Sequence, residues 1–143
     1  MGRARKKKTK TTWPPAVQIW MERVDYDLET ARAMLKTGRY LYVVFMCQQA
    51  VEKALKAMLA LQGREIKPIH KLPKLAENAG ILQEIDDETF ALFEDLSGYY
   101  LNARYKETIR ALSKAIGKKE ARDYLAKAKG VITWLTLKMK LSQ

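Results

Sequence analysis

The chain has 143 residues, 48% hydrophobic and 30% charged, the mixture of one globular domain and not of a disordered segment. Seven glycines and four prolines are too few for the frequent turns of an all-β fold, and a single cysteine, Cys47, excludes an intramolecular disulfide or a Cys-rich zinc site. The net charge of +11 is concentrated at the start, where residues 1–10 hold six Lys and Arg and no acid, against 21 basic and 16 acidic residues in the remainder.

Residues 1–12 read as a basic flexible arm, suited either to nucleic acid phosphates or simply to solvation. Residues 13–143 read as one helical domain. Trp13-Pro14-Pro15 marks its start, with proline placed for a first helical turn. From about 15 to 36, Val17, Trp20, Val24, Leu28, Ala31 and Leu35 recur at helical spacing, and Gly38 is suited to end that helix. A second helix is expected over about 39–62 and stops at Gly63. The segment REIKPIH then forms a loop in which Pro68 holds Lys67 away from helical angles.

A short helix is expected over Lys71 to Asn78, closed by Gly80. The next, at about 86–103, carries Phe90, Leu92, Phe93, Leu96 and Tyr99, and the last runs from about Lys118 to Leu141. Four long helices with short joins define an all-α, antiparallel up-and-down four-helix bundle with one additional short helix. No apolar run reaches the roughly 18–20 residues of a membrane span. With no apolar leader segment, the expected location is the cytoplasm, with no membrane partner.

The second helix carries the run CQQAVEKALKAML (47–59). Leu41, Val44, Val51, Leu55, Met58 and Leu59 gather into one apolar stripe, and Gln49, Glu52, Lys53 and Lys56 into a second, polar one on another side. Gln48 falls inside the apolar stripe, so its amide requires a buried partner, expected on a neighbouring helix. The polar stripe is either an ordinary solvated face with i,i+4 pairs or a site for phosphate.

QQAVEKALKAML resembles the central helix signature of HEPN domains, in which Gln-Ala-x-Glu-Lys-x-x-Lys recurs. The same order of features surrounds it: Tyr26, Asp27 and Ala31, then Gly38 and Tyr40, then IHKL (69–72), LNARY (101–105) and a closing AKAKGVITWL helix. The resemblance spans about residues 17–140. It implies a helical bundle, commonly a homodimer, that acts on or binds nucleotides or RNA. It also implies a link to a minimal nucleotidyltransferase in toxin–antitoxin or regulatory pairs.

Active members resembling this chain are metal-independent ribonucleases with an Arg-x4–6-His motif. Arg104 is the counterpart of the motif arginine, but positions 109–111 hold Ile109, Arg110 and Ala111, and the one histidine, His70, lies upstream. Arg110 can bind phosphate yet is a poor proton carrier. A related subgroup reads Arg-Tyr-Pro-Asp, where this chain keeps Arg104 and Tyr105 but has Lys106 and Glu107.

The resemblance therefore favours a nucleotide- or RNA-binding module using Arg104, Tyr105, Lys53, Lys56 and His70, non-catalytic or weakly catalytic, without metal or other cofactor. One alternative is an endoribonuclease toxin in which Arg104 works with His70 or Arg110. Another is a structural helical dimer whose arm binds nucleic acid without selectivity. Each residue also has a structural reading: an Arg104 ion pair with a carboxylate such as Glu52, Tyr105 as core, and His70 capping the short helix. Tyr99 and Tyr100 read as core or dimer contact, and Cys47 as a buried filler.

Overall fold

The computed structural model describes residues 13–105 and 108–143, with side chains for 13–103 and 108–143. The first helix, α1 (Pro15–Lys36), starts directly behind Pro14, whose carbonyl accepts from Val17 and Gln18. Trp13, buried at its foot, joins Val17, Met21, Val24 and Ala31 on the inward stripe. Gly38 takes φ +80°, and the Arg39 N–H reaches the Met34 carbonyl at 2.9 Å, closing the helix as its sequence position implies.

Helix α2 (Tyr40–Leu61) forms the middle of the molecule, packing on α1, α6 (Lys118–Leu141), α4 (Asp87–Tyr105) and α3 (Leu72–Asn78). Enclosed on so many sides, it buries far more than one stripe: Leu41, Val44, Cys47, Val51, Leu55 and Leu59, but also Gln48, Glu52 and Lys56. The reading of the polar stripe as a solvated face is corrected here. One apolar stripe suffices for a peripheral helix, whereas a central one is covered over most of its circumference, here leaving only the side of Tyr42 open to water.

Gly63 at φ +70° ends α2, and the following loop is stitched to the end of α3. There Gln62 donates to the Ala79 carbonyl at 2.9 Å and Arg64 to the Asn78 carbonyl. A 3-10 turn, Leu82–Glu84, leads into α4, where the Asp86 carboxylate accepts the Thr89 N–H at 2.8 Å. A further short helix not foreseen from the sequence, α5 (Ile109–Ser113), is opened by Thr108, whose hydroxyl accepts from Ala111 N–H at 3.1 Å. In α6 the Glu120 carboxylate turns back to the Gly117 N–H at 3.0 Å. No strand is present among the described residues, and the four long helices α1, α2, α4 and α6 make the expected all-α bundle.

Among the described residues, no helix is long and apolar enough to cross a membrane.

Candidate functional site

The two halves of the opening motif on α2 converge on one buried ion network. Glu52 is 4% exposed and Lys56 6%, and they bond directly at 2.8 Å. Gln48, one turn earlier, donates through the same amide nitrogen to Glu52 at 2.9 Å and to the His70 carbonyl at 2.9 Å. Its own oxygen accepts from Gln49 at 2.8 Å, so the buried amide is satisfied on both sides. The neighbour that answers Gln48 is the loop before α3 and not the helix expected.

His70 closes the network from the other side. Its Nδ1 lies 3.1 and 3.2 Å from the two Glu52 oxygens. Because an ionised carboxylate only accepts, Nδ1 carries the hydrogen of this contact. The side chain is 37% exposed, and its ring lies 5.4 Å from that of Tyr100 on α4, tilted by 50°. This replaces the capping role considered for His70. The buried N–H at the start of α3, that of Leu72, is taken by the Ser97 hydroxyl at 3.0 Å.

Burial pushes the Glu52 carboxyl up, but the hydrogen bonds from Lys56 and Gln48, the Lys56 charge and the His70 bond outweigh it. The result lies below the usual 4.5. Glu52 is therefore a fixed anion with three donors around it, the condition for keeping a charge inside a bundle.

The candidate cations have separate fates. Lys56 faces Glu52 and the ring of Trp20, 5.9 Å from its centroid, while Arg23 lies 5.2 Å from the same ring. Lys53 pairs with Asp27 of α1 at 2.6 Å. Both lysines pair with carboxylates within the bundle. Arg110 is exposed on α5, away from the ion network on α2 in sequence and element. The expectations for the Arg104 and Tyr105 side chains, and for the arm 1–12, lie outside the described residues.

Asp27, Ser97 and Tyr100 belong to this arrangement and were not singled out as binding residues. Asp27 had a signal: it sits between Val24 and Ala31 at spacings of three and four, a charge on an apolar stripe that must find a buried partner. Ser97 follows Phe93 by four in the same way. Cys47 is buried, as expected, and burial pushes its thiol up to about 12, which removes it from chemistry near neutral pH. Tyr99 packs edge-on to Tyr124 at 6.3 Å. No group of three or more metal-ligating side chains occurs among the described residues.

An all-α bundle whose central helix holds a buried Gln-Glu-Lys ladder, and through it a histidine loop, defines a class of protein. The HEPN domain model matches residues 17–139, and the chain belongs to the HEPN family. It is similar to the crystal structure of ST0689, an archaeal HEPN homologue, at 28% identity and a TM-score of 0.68, over 86% of this chain and 97% of that one. The crystal structure of TT1696 from Thermus thermophilus shares the fold, with 21% identity, a TM-score of 0.72 and coverage of 85% and 97%. A shorter match, 46% identical over 46 residues, is to "Putative toxin MJ1304" of Methanocaldococcus jannaschii. It spans 32% of this chain and 30% of that relative's length.

Proposed function

We propose that this chain is a HEPN-type nucleotide- or RNA-binding module with a toxin or regulatory role, non-catalytic or weakly catalytic, acting as a homodimer. A minimal nucleotidyltransferase is the expected partner. Family membership and the toxin-named relative support the broader role.

The observation that carries the reading is the clamped histidine. Both its carbonyl and its Nδ1 are held by α2, so a half-exposed ring is presented beside Tyr100 at a fixed angle. An oriented ring and a neighbouring phenol suit a base or ribose, while the phosphate charge falls to Arg104 and Tyr105. Lys53 and Lys56 serve this site by holding α1 and α2 in register and not by touching ligand.

A second reading, the endoribonuclease, draws on the same geometry. A carboxylate on Nδ1 is the arrangement that leaves Nε2 free to take a proton, so His70 is the group of choice for 2′-OH activation if Arg104 stabilises the phosphate.

The discriminating experiment incubates end-labelled RNA with the protein in EDTA, beside Arg104→Ala and His70→Gln, and measures binding of the same RNA. The binding module leaves RNA intact in all three and loses affinity in Arg104→Ala. Cleavage by the wild type that vanishes in both variants replaces it with the enzyme. Binding that survives both substitutions and disappears when residues 1–12 are deleted leaves only an unselective arm.

A further inference from the structure

A cleft of about 530 Å³ lies between α3 and α4; Ser97 lines it, but Gln48, Glu52, Lys56 and His70 do not. Pro73, Leu82, Phe90 and Leu101 supply its apolar walls. Phe90 is 38% exposed, unlike Leu92, Phe93 and Leu96 of the same helix, which are buried. Its ring is on the cleft side of the helix and is not spent on the core.

Two opposite charges stand in the same cleft with no ion pair or hydrogen bond among the described residues: Lys71, which directly follows His70, and Glu94. Lys74 and Glu77, also on its rim, pair with each other at 3.4 Å. The comparable cleft between α4 and α6 differs on this point. Its carboxylates are engaged, Glu84 by Lys138, Glu88 by Lys127 at 4.0 Å and Asp86 by Thr89.

We infer that the α3–α4 cleft is a nucleobase subsite for single-stranded RNA, with the base against Phe90, its exocyclic amine on Glu94 and the adjoining phosphate on Lys71. The inference rests on the RNA-binding reading above and extends it to a second base, beyond the one beside His70. Volume, apolar walls and a few convergent polar groups match small-molecule sites, which run from roughly 300 to 1,000 Å³. A flat π system with one polar edge and one anionic substituent is the ligand that uses an aromatic wall, a free anion and a free cation together. An ionised carboxylate accepts from the amines of adenine and cytosine and repels the carbonyl O4 that uracil presents in the same place.

The test is fluorescence anisotropy with short labelled oligo(A), oligo(C) and oligo(U) RNAs on the full chain, at one low salt concentration. The wild type is expected to prefer oligo(A) and oligo(C) to oligo(U). Phe90→Ala weakens them by roughly 5- to 100-fold, the usual loss of one stacking partner. Glu94→Gln, an exposed substitution that leaves the core untouched, abolishes the preference over oligo(U), since an amide donates as well as accepts. If Phe90→Ala binds within about twofold of wild type and Glu94→Gln keeps the preference, the cleft is not a base site, and the RNA-binding reading stands without it. If the wild type binds none of the oligonucleotides, both fall.

Discussion

Removing Glu52 tests the ion network more sharply than any other single change. In Glu52→Leu the ammonium of Lys56, on a residue only 6% exposed, loses its counter-charge, His70 Nδ1 loses its acceptor, and Gln48 keeps only the His70 carbonyl as acceptor. Breaking a buried pair from one side costs about 3–5 kcal/mol, because the surviving charge is stranded. Lys56→Met leaves Glu52 with two donors and forfeits one charge-assisted bond and the contact with Trp20. That loss is about 2–4 kcal/mol.

The double variant removes the stranded charge altogether, so its cost falls below the sum of the singles by about 1.5–3 kcal/mol. The assay is guanidinium unfolding followed by tryptophan fluorescence, comparing midpoints at equal slope. A loss under about 1 kcal/mol in Glu52→Leu, or single costs that add to within about 0.5 kcal/mol in the double, would refute the network as described.

The pH dependence follows from the same carboxylate. Its folded value lies below the unfolded 4.5, so between the two the unfolded chain binds more protons. Its stabilisation is complete above about pH 4.5 and is lost as pH falls through the folded value. The unfolding midpoint of wild type should therefore drop more steeply below pH 4.5 than that of Glu52→Gln, and parallel curves would contradict this. Ser97→Ala strands the buried Leu72 N–H and should cost about 1–3 kcal/mol by urea unfolding, with no change seen if water replaces the hydroxyl. Cys47, buried and with its thiol pushed up to about 12, should resist alkylation at pH 8 until denaturant is added, and prompt labelling of the native chain would place it elsewhere.

Helix limits were legible because they depend on near neighbours. Pro15 at the start of α1, Gly38 and Gly63 at positive φ, and the three-and-four spacing on α1 and α6 are all written within a few residues of the structures they produce. The short α5 escaped notice because a Thr cap and one turn of helix carry little periodicity.

The sequence by itself determined an all-α chain of four long helices, the family, and the anomaly of a glutamine on an apolar stripe. Only the tertiary structure decided what the polar residues of α2 do. On an isolated helix, Glu52 and Lys56 are an i,i+4 surface pair worth tenths of a kcal/mol. Once α1, α3, α4 and α6 close around α2, the same pair is taken from water and must satisfy itself with Gln48 and the His70 loop. Burial is a property of what surrounds a helix, and those surroundings lie up to about a hundred residues away in the chain, beyond the reach of any local pattern.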